Sequence, residues 1–201
     1  MSRHVPVAIV GGGPAGLALA LALNQRGIAC EVHDAREKGA GLADRRVLAL
    51  SHGARQILEW LGAWRAVPGT PITTIHVSQA GRLGRALLDA DEQGVPALGY
   101  VIAARDLIAA LEQALQATPV ACHQHSRIDA ARPDDGEIAF EGPSGVARAR
   151  LLVFAEGGIA TEEARRREYG QHAVICRVVS REPHRNRAFE RFTPEGPVAL
   201  L

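Results

Sequence analysis

The chain has 201 residues, 47% hydrophobic and only 4% aromatic, so its core must be built mainly from Ala, Val, Leu and Ile. Its formal net charge of +1 gives no reason to expect a nucleic acid or an acidic macromolecule as a partner. Three cysteines, far apart and without a C-x-x-C pair, fit free thiols in a reducing cytoplasm. The apolar run Leu17–Leu23 is too short to cross a bilayer, and no signal peptide is recognisable.

A glycine-rich turn follows the first predicted strand, Val5–Val10. The next residues, GGGPAG, match G-x-G-x-x-G through Gly11, Gly13 and Gly16. In this motif the first glycine allows a tight turn, the second lets the backbone approach a pyrophosphate, and the third lets helix and strand pack closely. The alternative interpretation of the motif alone is a glycine-rich surface turn.

The segments that follow are typical of a dinucleotide-binding βαβ unit. An Ala/Leu-rich helix begins near Pro14 and Ala15, where free N–H groups favour phosphate, and continues to about Arg26. The second predicted strand, Ile28–His33, ends in Asp34, which lies 23 residues after the first glycine of the motif. A carboxylate at about this position binds a ribose hydroxyl and disfavours a 2′-phosphate, so we expect NAD or FAD; the alternative is a solvated turn residue.

The next elements predict a change of fold after residue 70. A helix is expected over Gly53–Trp64, with Ser51 as its cap and Ile57, Leu58 and Leu61 on one face. The alternating segment Ile72–Gln79 predicts a strand that turns back into Arg85–Leu88. This hairpin, residues 71–99, is assigned to a second domain.

The remaining segments are predicted to return to the first domain and then leave it again. A helix with the apolar stripe Leu107, Ile108, Leu111 and Leu115 is followed by further predicted strands: Val120–Ala130, Glu137–Glu141, Ala147–Ala155, Gly170–Ser180 and Ala188–Thr193. We therefore expect residues 1–70 and 100–160 to form one domain. Residues 71–99 and 161–201 should form an inserted, mainly antiparallel sheet. TEEARRREYG, residues 161–170, predicts a short charged helix.

Three sequence blocks carry a family resemblance: GGGPAGLALALAL, DRRVLALSHGARQILEWLGAW, and the long stretch that ends in ALGYVIAARDLIAAL. They resemble the group A flavin monooxygenases of ubiquinone biosynthesis. The segment NRAFERFTPEGPVALL is most similar to the 2-polyprenyl-6-methoxyphenol hydroxylase branch. The resemblance implies FAD, with NAD(P)H as a transient co-substrate, and hydroxylation of a polyprenylated phenol by O2. An NAD-dependent dehydrogenase shares the first motif but does not explain DRRVLALS.

The resemblance also implies cofactor-binding residues beyond the glycine turn. The family's flavin-contacting arginines fall on Arg46 and Arg105, for each of which a surface charge is the alternative. Ile128 matches a position whose backbone meets adenine. The family's GADG-like segment is replaced here by LLVFAEGG, in which Glu156 stands for the usual aspartate and Gly157 keeps the turn.

The resemblance predicts an α/β fold, in which a Rossmann-like FAD-binding domain carries an inserted substrate domain. Chains of this family are longer, and their second Gly-Asp motif would lie beyond residue 201, so the sequence is expected to be an N-terminal half. A non-catalytic FAD-binding or assembly protein is the alternative. Further expectations are a cytoplasmic location, peripheral contact with the inner membrane or with a ubiquinone-biosynthesis complex, and homo-oligomers.

No catalytic residue is predicted, and no metal site is expected. His123 and His125 are two residues apart on a predicted strand and would share one face. As metal ligands they lack a third partner at a recognisable spacing.

Overall fold

A computed structural model describes residues 3–157 and 167–201 of the chain. The described residues divide into two units. The first contains the chain up to Thr70 and the segment Gly99–Gly157, and the second contains Pro71–Leu98 and the described residues from Arg167 onward.

The regular elements follow one another as short strands and three α-helices within the described ranges. The strands are β1 (Arg3–Val10), β2 (Cys30–His33), β3 (Val47–Ser51), β4 (Thr70–Ile72), β5 (Thr74–Gln79), β6 (Arg85–Asp89), β7 (Gly99–Ala103), β8 (Ala121–His123), β9 (Ala130–Asp134), β10 (Glu137–Gly142), β11 (Gly145–Phe154), β12 (Arg187–Thr193) and β13 (Gly196–Leu200). The helices are α1 (Pro14–Gln25), α2 (His52–Trp60) and α3 (Ala104–Gln116), with short 3-10 turns at Ala40–Ala43 and Trp64–Ala66.

A six-stranded sheet in the order β8-β2-β1-β11-β10-β9 organises the first unit. The four strands from β8 to β11 are parallel, and β10 and β9 add an antiparallel hairpin at one edge. Because the parallel strands point the same way, the ends of β1, β2, β8 and β11 meet at one edge, where ligands of open α/β sheets bind. The residues that follow these strands therefore define the candidate site.

Helices α1 and α3 cover one face of this sheet with an apolar core. The stripe predicted for α3 is confirmed, because Leu107, Ile108, Leu111 and Leu115 are all buried. They pack in one cluster with buried residues of β1, β2 and α1. A smaller cluster on the sheet, around Phe140, contains Val5, Ala8 and Ala149. The first unit is thus built mainly from aliphatic residues and alanine.

The N-terminal βαβ unit agrees with the sequence interpretation. β1 ends at Val10, α1 begins at Pro14, and Gly27 takes the left-handed conformation (φ +69°) just after the helix ends. Ser51 caps α2 as predicted, because its hydroxyl accepts a hydrogen bond from the Ala54 N–H (3.2 Å). Ile57 on the same helix is more than half exposed, so its predicted place on the buried face is wrong.

A four-stranded sheet in the order β13-β12-β5-β6 forms the second unit. The hairpins β5–β6 and β12–β13 are antiparallel, whereas β5 and β12 pair in parallel. The predicted hairpin after residue 71 is confirmed, and the sheet is mainly antiparallel as expected. None of the helices among the described residues is both long and apolar enough to span a bilayer.

Two predicted strands are wrong. Val120–Ala130 is interrupted after β8 by a turn, in which His125 has a positive φ of 51°, so His123 and His125 do not share a strand face. Gly170–Ser180 has no regular secondary structure, because no described strand pairs with it and a strand needs a hydrogen-bonding neighbour. The predicted charged helix at 161–170 lies mostly outside the described residues.

Candidate functional site

The first and third glycines of the motif are required by close backbone contacts. Gly11 has φ +112°, and a Cβ there would lie 2.7 Å from the carbonyl carbon of Ala155, at the end of the neighbouring strand β11. A Cβ at Gly16 would lie only 2.0 Å from the carbonyl oxygen of Gly11. The Gly11 N–H donates to the carbonyl of His33 (2.8 Å), which joins the turn to the end of β2. Strand, turn and helix are therefore packed without room for a side chain.

The second glycine has a different role, because it faces open space. A Cβ at Gly13 would meet no atom within 4 Å. Gly13 is also the N-cap of α1, has no side chain that could cap the helix, and precedes Pro14 and Ala15 in the first turn. The first-turn N–H groups and the positive end of the helix dipole can therefore serve an external anion. This open, uncapped helix start fits a pyrophosphate.

Asp34 lies at the end of β2, next to the turn, and its carboxylate is held by Arg36. The Arg36 side chain donates from Nε to Oδ1 (3.0 Å) and from Nη2 to Oδ2 (2.7 Å), and the Arg36 N–H also donates to Oδ1 (2.9 Å). Burial disfavours the charged carboxylate, but these hydrogen bonds outweigh it and hold the pKa of Asp34 below its ordinary value. Asp34 is thus ionised, with Arg36 as its partner.

A pocket of about 300 Å³ opens beside Asp34, within the first unit. Its size is at the lower end of the range for small-molecule sites, about 300–1,000 Å³, and suits one part of a dinucleotide. Apolar side chains and polar groups line it together, among them Leu17, Val32, Asp34, Arg36, Glu112 and Cys122. Partial desolvation and the nearby Glu112 carboxylate raise the pKa of the Cys122 thiol, which keeps this exposed cysteine protonated at neutral pH.

Arg36 is the pocket residue that the sequence analysis did not identify. It lies two residues after the predicted ribose-binding acid, and it both pairs with that acid and lines the pocket. The signal was available, since a carboxylate ending a buried strand needs a cationic partner or a ligand. Cys122 and Glu112 reach the pocket only through the packing of β8 and α3, which no local pattern shows.

Arg46 and Arg105 lie close together in the backbone but outside this pocket. The Arg46 carbonyl accepts a hydrogen bond from the Ala104 N–H (3.0 Å), next to Arg105 at the start of α3. Arg46 pairs with Asp44 (2.6 Å), and Arg105 with Asp106 (3.5 Å). Both guanidinium groups are well exposed. Their contact with a flavin stays a prediction.

Glu156 and Gly157 follow β11 at the same sheet edge as the glycine turn. Ala155 donates its N–H to the carbonyl of Val10 (2.7 Å), which places Glu156 beside Gly11, and Gly157 has φ +74°. Ile128 lies apart from the pocket lining, with its side chain packed on the cluster around Phe140. Gly11, Gly16, Asp34 and Glu156 are thus gathered at one edge, while the predicted roles of Glu156, Gly157 and Ile128 remain untested.

Comparison with known proteins agrees with this geometry. The profile of a family described as "FAD binding domain" matches residues 4–167. The chain is 30% identical to the 3-demethoxyubiquinol 3-hydroxylase of Escherichia coli (strain K12), over all of this chain and 55% of that protein. It is 35% identical to ubiquinone hydroxylase UbiL of Rhodospirillum rubrum, over 97% of this chain and 48% of that one. The chain therefore spans about half the length of these curated relatives.

Solved structures show the same fold. PqsL of Pseudomonas aeruginosa, in complex with 2-aminobenzoylacetate, matches with a TM-score of 0.66 at 23% identity, over 83% of this chain and 48% of PqsL. The p-nitrophenol 4-monooxygenase PnpA of Pseudomonas putida DLL-E4 matches with a TM-score of 0.61 at 22% identity, over 78% of this chain and 42% of PnpA. At these identities the likeness is one of fold.

Proposed function

The chain belongs to the FAD binding domain family, and from this premise we propose that it supplies the FAD-binding part of an aromatic hydroxylase. The observation that carries the proposal is the open, uncapped start of α1 at Gly13, adjoining a pocket that contains Asp34. A pyrophosphate on the helix start and an adenosine in the pocket account for both features at once.

The predicted site residues would contact different parts of FAD. Gly11 and Gly16 shape the turn, and the first-turn N–H groups from Ala15 onward bind the pyrophosphate. Asp34 accepts a hydrogen bond from the adenosine ribose. Arg46, Arg105, Glu156 and Gly157 would contact ribityl or phosphate oxygens. A contact between the adenine and the Ile128 backbone would require the adenine to extend beyond the pocket lining.

We further propose the reaction class and the substrate. When bound, FAD would supply the redox chemistry by which NAD(P)H provides two electrons, one atom of O2 enters an aromatic ring and the other leaves as water. The named hydroxylase relatives support a polyprenylated phenol as the substrate, and hence peripheral contact with a membrane or with a ubiquinone-biosynthesis assembly. A cytoplasmic location and homo-oligomers are part of the same proposal.

A second candidate function is a non-catalytic FAD-binding or assembly protein. The observation in its favour is that the features described above, the open helix start at Gly13 and the pocket beside Asp34, require only that FAD be bound. This candidate shares the FAD site with the first and differs in having no turnover.

The first test is the visible spectrum of the purified 201-residue chain after incubation with FAD and removal of free flavin. We expect a shifted flavin band near one FAD per chain. The variant Asp34→Asn should bind FAD about 10- to 100-fold more weakly, because it loses a charged hydrogen bond worth about 1.5–3 kcal/mol. The control variant Asp129→Asn, in an exposed loop away from the pocket, should bind like the wild type.

The two candidates are then separated by NAD(P)H oxidation with and without a phenol. Oxidation that a phenol accelerates, together with a hydroxylated product, supports the hydroxylase. Flavin retention without turnover supports the binding protein. A colourless wild-type chain, or equal flavin retention by Asp34→Asn and wild type, would contradict the proposed FAD site.

A further inference from the structure

Glu31, His33 and His123 form a polar cluster next to the dinucleotide pocket but outside its lining. Glu31 and His33 point to the same face of β2, because they are two residues apart on a strand. His123 is the register partner of His33 on the neighbouring strand β8. The two imidazole rings stack with their centroids 4.9 Å apart. Three potential metal ligands from two strands thus converge on one point.

The two β2 residues of the cluster are buried. The Glu31 residue is 3% exposed and the His33 residue 6% exposed. Two imidazoles face the carboxylate, and a divalent cation held between these three groups would bind one atom of each.

Two of the distances in the cluster are close to those between the ligands of a tetrahedral metal site. His33 Nε2 lies 2.9 Å from Glu31 Oε1, and His123 Nε2 lies 3.4 Å from Glu31 Oε2. Zinc bonds of about 2.0–2.1 Å in tetrahedral geometry put neighbouring ligand atoms about 3.3 Å apart. One ligand atom from each of the three residues lies within 4.8 Å of the others. A zinc ion at their centre would draw these ligand atoms into the closer tetrahedral spacing.

A neighbouring hydroxyl orients one of the imidazoles. His33 Nδ1 lies 2.8 Å from Ser126 Oγ, and Ser126 is itself buried. A metal-binding histidine usually donates its other N–H to such a partner, which fixes the ring and the nitrogen that binds the metal. Here the partner on Nδ1 leaves Nε2 facing Glu31 and His123. The His123 side chain is 30% exposed, so ions and one water ligand can enter from that side.

We propose that Glu31, His33 and His123 form a structural binding site for a divalent transition-metal cation, zinc being the best fit to a set of two imidazoles and one carboxylate. The metal would tie β2 to β8 directly before Asp34, whose N–H donates to the carbonyl of His123 (2.8 Å). It would thereby fix the strand ends that border the dinucleotide pocket. This inference does not depend on the proposed function.

The test is metal binding by the untagged 201-residue chain after removal of metal with a chelator. Cobalt(II) is the first probe because a tetrahedral site gives it a strong visible absorption band, and zinc is then used to displace it. We expect one cobalt per chain, displaced by one zinc, and a rise in melting temperature with zinc. The variant His123→Ala should lose at least 100-fold in affinity and lose the zinc-induced rise in melting temperature.

His125→Ala is the matched control, since His125 lies two residues away in the turn and outside the cluster. It should bind cobalt and zinc like the wild type. Circular dichroism of His123→Ala checks that the fold is kept, and Glu31→Gln offers a second variant that preserves the shape of the side chain. Absence of stoichiometric cobalt binding in the wild type, or equal zinc affinity in wild type and His123→Ala, would overturn the proposal. Flavin retention is measured separately, so failure of this site leaves the FAD test unaffected.

Discussion

At the scale of single residues, the glycines of one motif are needed for different physical reasons. Gly16 is confined by the carbonyl oxygen of Gly11, whereas Gly13 faces open space at the helix start. The first is a requirement of packing, and the second is a requirement of the ligand. Sequence spacing identifies both positions but does not separate these two roles.

Alanine substitutions should separate them. Gly16→Ala places a methyl group against a backbone oxygen that cannot move without the turn, so we expect a loss of about 3 kcal/mol or more in the free energy of unfolding. Gly13→Ala should keep nearly the wild-type stability but weaken FAD retention, because its methyl group occupies the approach of the pyrophosphate. Urea unfolding and the flavin spectrum measure the two effects. Equal stability losses in both variants would contradict this division.

The ionised Asp34 also makes a prediction for stability in acid. Its pKa in the folded chain is below the ordinary value of about 3.9, because hydrogen bonds from Arg36 outweigh the effect of burial. The stabilisation by the charged carboxylate is therefore complete above about pH 5 and is lost as the pH falls through the folded-state pKa. Wild type should lose more stability between pH 6 and pH 3 than Asp34→Asn.

Urea midpoints over this pH range provide the measurement. Asp129→Asn is the control, because Asp129 is exposed and forms an ion pair with exposed Arg127, so it should follow the wild type. Parallel pH profiles for wild type and Asp34→Asn would show that Asp34 does not contribute in this way. If the free energy of unfolding falls less steeply from pH 6 to pH 3 in Asp34→Asn, and not in Asp129→Asn, the result supports the Asp34–Arg36 pair.

At the scale of elements, helix α3 shows where periodicity is a reliable guide. Its four predicted stripe residues are all buried, and Leu111 is completely inaccessible to solvent. Truncation of this side chain should leave a cavity between α3 and the sheet. We expect Leu111→Ala to lower the free energy of unfolding by about 2–5 kcal/mol.

The matched comparison is Ile57→Ala on α2, because Ile57 is 57% exposed. This change should cost well under half as much as Leu111→Ala, since little apolar surface returns to water. Urea unfolding of both variants at one pH gives the result. Similar losses for the two would mean that α2 buries Ile57 against a surface absent from the described residues.

Strand prediction failed where strand formation depends on contacts with residues distant in the sequence. The segment 170–180 has the composition of a strand, but strands are stabilised by neighbours, and none of the described strands pairs with it. The segment Val120–Ala130 failed for another reason. Its chain turns after β8, where the N–H of Ser126 donates to the carbonyl of Asp34 (2.8 Å), a long-range contact invisible in the local pattern.

At the scale of the whole molecule, the sequence predicted the order of elements and the α/β class well. It also predicted the glycine turn and the place of Asp34 at the end of the second strand, because these follow from a local motif and its spacing. The pairing of Asp34 with Arg36 and the meeting of Glu31, His33 and His123 were not predicted. Both depend on side-chain directions at neighbouring strand ends, which only the three-dimensional structure fixes.

The position of β1 in the middle of its sheet has a consequence for how the chain folds during synthesis. β1 is made first, yet its partner on one side is β11, with Arg3 opposite Ala147 and Val10 opposite Phe154. At about 5–20 residues per second, that partner emerges roughly 7–30 seconds later. During this interval a Val- and Ile-rich strand presents an unpaired edge, which favours wrong pairing with other nascent chains. A chaperone that covers the first strand during this interval should therefore raise the yield of folded protein.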